Sequence, residues 1–377
     1  MHPISEFTRR GANIRITKAE CILLNIPFKT GGTPWMFGGK PWTHFDICLV
    51  RIETDCGLVG WGEAFARNRD VSLKSVIDTH ILPKLIGQDA LRISSIKRQI
   101  EMQMHNLGRI GPIQYGISAV DIALWDIVGK RAGLPLAELL GGRFVDEVEV
   151  YASLHRYASE KGVAAAVERA IADGYRFVKL HEIGVAEHRA AVSAAKGRAR
   201  IMADVNCPWL TAEALRKDRE LADLGLYWLE EPVWPPEDYV GLAKVRAQGN
   251  HLIALGENTG SLQDFEAIIA MGAIDIAQPD VAKTGGVTEL LKIAGLCEAA
   301  GVEFVPHCAL FGPGQLATIH INASRPHTPI LERFYIELEP PLYPEAVQPK
   351  RARITVPTGP GLGFDPDPKV VESYRVG

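Results

Sequence analysis

The sequence predicts an α/β protein, a (β/α)₈ TIM barrel preceded by a smaller α+β domain. Three observations lead there. Eight apolar, strand-like runs alternate with helical stretches from about Val148 onward, the number that a closed parallel barrel needs. Three of those runs end in acidic phrases, IMADVN, LYWLEEP and IALGEN, which set Asp204, Glu230 and Glu257 about 26 residues apart. One strand, one helix and two loops fill that length. The residues before about Gly142 follow another rhythm, in which three strands come first and helices after.

Bulk properties narrow the function classes. A chain of 377 residues exceeds one ordinary core, so a large and a small domain are expected. A net charge of −4 and a pI near 6.3 offer no basic field for nucleic acid and no polybasic patch for anionic lipid. No apolar run reaches membrane-spanning length. The opening MHPISEFTRRGA lacks the apolar core of a secretory signal, and residues 1–13 read as a flexible tail. Cys21, Cys48, Cys56, Cys207, Cys297 and Cys308 are scattered without zinc or disulfide spacing, which suits reduced thiols in a cytoplasmic protein.

Residues 14–142 form the expected α+β domain. Ile14–Ile26 alternates in part, as a half-buried strand does. Phe45–Thr54 and Leu58–Ala64 are strands joined by the turn-forming Asp55-Cys56-Gly57. Between the first two lies KTGGTPWMFGGKPW, whose glycines, prolines and aromatics suit a loop that closes over a site. Helices are expected near 70–86, 92–106 and 117–131; in the last, Asp126 and Lys130 stand one turn apart and can pair. Residues 143–335 carry the barrel strands EVEVYASL, YRFVKLH, ARIMADV, LYWLE, LIALGE, AIDIAQP, VEFVPH and PILERF. An open doubly wound sheet could use the same alternation, but it gives no reason for polar residues at the ends of six successive strands. Residues 336–377, rich in proline and glycine, are expected to pack back on the first domain as irregular structure and a short strand.

The polar strand ends are Lys179 and His181, Asp204 and Asn206, Glu230, Glu257, Asp280, His307 and Glu332. A single carboxylate after a strand is often a helix cap or a salt bridge. Their joint placement at a barrel mouth, where barrel enzymes keep their chemistry, is the informative fact. Three carboxylates brought together there repel unless a cation sits among them, and oxygen-only ligands favour Mg²⁺ first and Mn²⁺ second. Lys179 and His181, two apart on one strand, point to the same face; the ammonium can hold a substrate carboxylate and the imidazole can act as a base. Asp280 and His307 end neighbouring strands, within reach of a hydrogen bond that fixes the tautomer. Glu332 can be kept protonated by burial among anions and so donate a hydrogen bond.

Taken together, WGEAF, SAVDIALWDIVGK, PLAELLGG, MADVN, WLEEP, GENTG, QPDVAKTGG, VPH, LERF and GPGLGF resemble the phrases of the enolase superfamily in its mandelate racemase group, from about Ile14 to the C-terminus. That resemblance implies a modified barrel under a capping domain. It implies Mg²⁺ on Asp204, Glu230 and Glu257, a His–Asp dyad at His307 and Asp280, an acidic electrophile at Glu332, and a substrate contact at Asn206. It also implies a symmetric homo-oligomer, often an octamer. One departure stands out: where the group carries Lys-x-Lys, this chain has Lys179-Leu180-His181, and His181 inherits the base position while Lys179 takes the carboxylate-holding role.

The implied chemistry is removal of the proton α to a small-molecule carboxylate. Dehydration of an acid sugar is the preferred reading, with one histidine taking the C2 proton and a protonated histidine, His307 by preference, assisting departure of the C3 hydroxyl; the reverse assignment stays open. Racemisation, epimerisation or cycloisomerisation is the alternative. A barrel that binds metal or ligand without turnover is a third reading. A dinucleotide site is not expected, because the glycine pairs lack the G-x-G-x-x-G order. Specificity is expected from the loop around Trp35–Trp42, from His155 and from Cys308–Gly314.

Overall fold

The first long strand is buried for six residues running, from Cys21 to Ile26, and all but Asn25 are apolar. The computed structural model, which describes residues 13–30, 36–37, 40–67, 71–326 and 330–376, shows why. Strand β1 (Ile16–Lys29), the two-residue hairpin β2 (Met36–Phe37) and β3 (Lys40–Pro41), β4 (His44–Thr54) and β5 (Val59–Ala64) open the chain. β1, β4 and β5 form an antiparallel sheet that is covered on both faces. Cys21, Leu23, Cys48, Val50 and Ile52 face the helices of this domain. Ile22, Leu24, Ile26, Phe45, Ile47 and Leu49 face the barrel. The partial alternation of β1 thus reflects two buried faces, not the half-buried strand expected from the sequence. The expected tail, apart from residue 13, lies outside the described residues, as do residues 31–35 and 38–39 of the glycine-rich stretch.

Four helical segments follow: α1 (Val71–Val76), α2 (Ile93–Met104), α3 (Pro112–Ala132) and α4 (Leu136–Leu139). The helix expected at 70–86 changes pitch after α1, through a wide turn at Ile77–Ile81 and a tight one at Leu82–Lys84. Pro83 has no N–H to give residue 79, so a regular helix cannot run through it. α3 lies directly on β5: a Cβ at Gly62 would sit 1.8 Å from the Ala119 carbonyl oxygen, and one at Gly60 2.2 Å from that of Ala123. Only glycine permits that approach.

The eight expected barrel strands are all present: β6 (Glu147–Ser153), β7 (Phe177–Leu180), β8 (Arg200–Asp204), β9 (Trp228–Glu230), β10 (Leu252–Leu255), β11 (Ile276–Ala277), β12 (Glu303–Phe304) and β13 (Leu331–Phe334). They pair in parallel in the order β12-β11-β10-β9-β8-β7-β6-β13. The helices between them are α5 (Glu160–Ala172), α6 (Val185–Ala195), α7 (Thr211–Leu221), α8 (Tyr239–Gln248), α9 (Leu262–Ala270), α10 (Gly286–Ala300) and α11 (Pro313–Ala323). Eight strands therefore carry seven helices, and no helix follows β13 directly. Side chains facing into the curled sheet begin with an apolar plug of Tyr151, Met202, Trp228, Ala254, Ile276, Val305 and Ile330.

After β13 the chain forms β14 (Glu337–Leu338), β15 (Arg353–Thr355), α12 (Pro368–Tyr374) and β16 (Arg375–Val376). β14 and β16 join β1, as expected of a segment returning to the first domain, but β15 joins β6 of the barrel. The helix α12 was not expected. Its start was legible, since Asp367 caps the N–H groups of Lys369 and Val370 and Pro368 opens the first turn.

Asp126 ties these parts together. Its buried carboxylate accepts N–H bonds from Trp61 at 3.0 Å and Leu362 at 2.9 Å and pairs with Lys130 at 2.7 Å, the partner expected from the sequence. Asp126→Ala would strand two buried N–H groups and leave Lys130 only Asp365 and the Val59 carbonyl oxygen, a loss of about 3 kcal/mol. Urea unfolding should show this as a lower midpoint, with Arg216→Ala on the surface as the neutral control. A midpoint equal to the parent's would show that the contact contributes nothing.

Candidate active site

Two residues beyond the apolar plug, the inward positions turn polar on every strand but β10, where Gly256 follows Ala254. Lys179, Asp204, Glu230, Gln278 and Glu332 are almost wholly buried, and His181, Glu257, Asp280 and His307 stand above them at the C-terminal ends of the strands. The period of two along a strand forces this stacking, because Met202 and Asp204, or Trp228 and Glu230, share a face. The structure brings together all eight of the residues named as catalytic or metal-holding.

Lys179 is the hub. Its ammonium lies 2.8 Å from Glu230, 3.0 Å from Glu332 and 3.2 Å from Asp204, with no exposed surface. Burial opposes its charge, yet Glu230 and Glu332, followed by Tyr151 and Asp204, outweigh that and hold its pKa well above the ordinary lysine value. Each of its three N–H donors thus has a carboxylate near it, so it acts here as the brace of the acidic set. Glu332 behaves differently from the protonated acid envisaged from the sequence. Burial pushes its pKa up, but Lys179, His307 and the Cys308 N–H bring it down to about 2, so it is an anion. Two cations reach it from other strands, which no reading of its own strand could reveal.

Asp204, Glu230 and Glu257 offer one oxygen each, all within 4.8 Å of one another. The donor set is three carboxylates and no sulfur or imidazole, which fits a hard divalent cation. Glu230 is held in place from below by N–H groups of Trp228 and Gln278, both at 2.9 Å. Burial and the charge of Asp204 lift its pKa to about 7 despite Lys179. That is the electrostatic signature of a site short of positive charge.

On one flank, His307 Nδ1 meets Asp280 at 2.6 Å, while its Nε2 meets Glu257 at 2.8 Å. On the other, His181 Nε2 lies 3.1 Å from Asp204, and its Nδ1 is held on the Leu154 carbonyl oxygen. Burial lowers both imidazole pKa values, but the carboxylates win. His307, with Glu257, Glu332 and Asp280 around it, is raised well above the ordinary value; His181, with Asp204 for it and Lys179 against it, is raised less. Asn206 follows at the mouth, exposed, in the left-handed region at φ 53°, as is Cys207 at φ 54°. Two such residues in succession mark a tightly constrained strand end. His155 is buried against Tyr157, with ring centroids 4.1 Å apart.

Several residues of the site went unassigned in the sequence. Lys283 donates to Asn258 at 3.1 Å and stacks over Phe65 at 4.4 Å. Asn258 also binds Glu231, a buried carboxylate. Phe65, from the capping domain, lies 6.5 Å from His307, so the cap supplies part of the site's wall. Glu63 accepts the Gly312 and Gly314 N–H groups at 3.1 and 2.9 Å, locking the cap onto the start of α11. The phrases WGEAF and PDVAKTGG contain both Glu63 and Lys283, but a residue that joins two domains has no periodicity to betray it.

The family models agree with this geometry. Residues 162–370 match the model described as "Enolase C-terminal domain-like", and residues 40–141 match "Mandelate racemase / muconate lactonizing enzyme, N-terminal domain". The chain belongs to the mandelate racemase group of the enolase superfamily. It is a lyase or isomerase of that superfamily. Among this group's members it is similar to the 3,6-anhydro-alpha-L-galactonate cycloisomerase of Streptomyces coelicolor, at 33% identity over 84% of this chain and 88% of that one. It is similar also to the L-talarate/galactarate dehydratase of Salmonella typhimurium, at 31% identity over 86% of this chain and 81% of that one. A racemase structure from Streptomyces coelicolor with bound magnesium superposes with a TM-score of 0.86 at 29% identity, covering 96% of this chain and all (100%) of the other. Among the described residues no helix is long and apolar enough to cross a membrane.

Glu63 yields a pH prediction for this superfamily member. Burial, with Asp280 adding to it, raises its pKa from 4.5 to about 8 against the pull of the two glycine N–H groups. A carboxyl whose folded pKa is raised binds its proton more tightly when folded, so its contribution to stability falls as pH climbs from 4.5 toward about 8. Glu63→Gln keeps an oxygen for both N–H groups and has no proton to lose. Its melting temperature relative to the parent should therefore rise across that window and level off above it. A difference that shrinks with pH would refute the assignment.

Proposed function

We propose that this chain removes water from an acid sugar, giving a 2-keto-3-deoxy acid, with Mg²⁺ held by Asp204, Glu230 and Glu257. The observation that supports this reading is the pair of imidazoles, His181 and His307, flanking the three carboxylates from opposite sides. When bound, the ion supplies Lewis-acid charge to the substrate carboxylate, which makes the α proton removable. Lys179 keeps the carboxylates from spreading apart, and Phe65 and the cap limit water access.

The two histidines divide the proton transfers. Asp280 on Nδ1 makes His307 Nε2 the stronger base, suited to the weakly acidic C2 proton. His181, less strongly shifted, gives its proton to the departing C3 hydroxyl as that C–O bond breaks, and the resulting enol becomes the ketone. This reverses the preference drawn from the sequence, where basicity could not be ranked. Arabinonate, D-galactonate and L-talarate/galactarate dehydratases among the relatives favour this class of substrate.

A second reading is cycloisomerisation of a sugar-acid anhydride or lactone, favoured by two relatives named as cycloisomerases. It shares the first proton transfer and Asn206 as a contact to a substrate hydroxyl, but loses no water. An acid-sugar library, read by semicarbazide absorbance and by mass, separates the two. A keto product lighter by one water supports dehydration, whereas a product of unchanged mass supports cycloisomerisation. Chelation by EDTA should abolish turnover and added Mg²⁺ should restore it; activity that persists in EDTA would end the metal-dependent reading. On the active substrate, His181→Asn should lower dehydration by about 10²–10⁴-fold while deuterium still enters C2, and His307→Asn should stop that exchange. If His181→Asn stops exchange instead, the roles are the other way round.

A further inference from the structure

Among the described residues the barrel has eight strands and seven helices, and none of those residues forms an eighth helix over β13. Where an eighth helix would cover β13, between α11 and α5, the chain of residues 339–352 bridges a cavity of about 790 Å³. Arg333 lines it. On β13 this residue alternates with Glu332, so its guanidinium leaves the barrel on the outer side as Glu332 enters the active site.

Arg333 is 5% exposed. One terminal nitrogen donates to the Gln348 side-chain oxygen at 2.9 Å, and the guanidinium stacks over Phe311 at 4.2 Å. The other, Nη1, has no hydrogen-bond partner among the described residues, and none of the ion pairs there involves Arg333. A buried guanidinium without a counter-charge is costly, and proteins pair such groups. Its neighbours add to the imbalance. Lys29 and Glu339 neutralise each other across the rim, which leaves Arg169, Arg333 and Arg351 against Asp173 and Glu337 in the lining. Arg169 is spent on two neutral oxygens, those of Thr30 and Tyr157.

We propose that this cavity is a second, non-catalytic binding site for a small oxyanion, a carboxylate or a phosphate carried by a metabolite, gripped by the Arg333 guanidinium. The planar fork of arginine matches either oxyanion through two parallel hydrogen bonds. Aromatic walls at Phe311, Phe334 and Tyr335 suit a ligand with a carbon body, not a bare ion. The site stands on the outer face of the strand that carries Glu332 and does not depend on which reaction the mouth performs.

Crystals of the full-length protein soaked in sodium selenate should show an anomalous peak bonded to Arg333. Calorimetry on the Mg²⁺-loaded protein with inorganic phosphate and with malonate should detect binding that Arg333→Met weakens by about tenfold or more and that Asp204→Asn leaves in place. Binding of phosphate alone assigns a phosphorylated ligand, and binding of malonate alone a carboxylate. Wild-type crystals without selenate at Arg333, or isotherms that Arg333→Met does not change, would overturn the proposal. If Arg333→Met does not fold, the wild-type soak decides.

Discussion

Everything at the mouth of this barrel depends on one buried ammonium. Four carboxylates, those of Asp204, Glu230, Glu257 and Glu332, converge where the strands end, and in a low-dielectric interior their repulsion would drive them apart or protonate them. Lys179 sits below three of them and makes their convergence tolerable. It does not complete the neutralisation, since Glu230 still has a pKa of about 7. The remaining deficit is one that a divalent cation would meet. Structural ion pairing and metal affinity are therefore two parts of one electrostatic balance, set by a lysine that never touches solvent.

The capping domain depends on the barrel in a comparable way. Its sheet is apolar on both faces, so it cannot be stable as a half-exposed layer; one face needs its own helices and the other needs the barrel and the returning tail. Buried polar links cross that boundary at several places, among them Asp126 to Leu362, Glu63 to Gly312 and Gly314, and Asp121 to Thr288. The Glu63 bonds join the cap to the start of α11, a few residues after His307 and Cys308. The same contacts that hold the domains together thus shape the chamber in which proton transfer would occur, with Phe65 as its wall. Fold stability and water exclusion share residues here.

Much of this was legible in the chain. The eight barrel strands and the carboxylate spacing are local patterns, and a period of two along a strand is enough to say that Lys179 and His181, or Met202 and Asp204, share a face. The first long strand was misread for an equally physical reason: partial alternation looks the same whether one face is wet or both are dry. α12 was missed although Asp367-Pro368 announces it, because a proline-rich tail was read by composition and not by caps. Lys283 and Glu63 escaped because their partners, Asn258 and the glycine N–H groups, come from distant segments.

The sequence by itself determined the elements, their order and the identity of the groups at the strand ends, since these follow from periodicity, spacing and side-chain chemistry. Only the tertiary structure decided their states. Whether Glu332 is an acid or an anion depends on two cations from other strands. Which histidine is the stronger base depends on whether its partners are Asp280 and Glu257 or Asp204 and a lysine. That Lys179 braces carboxylates follows from three contacts made across 25, 51 and 153 positions of chain. Protonation and charge balance are sums over everything nearby in space, and the linear chain does not say what is near.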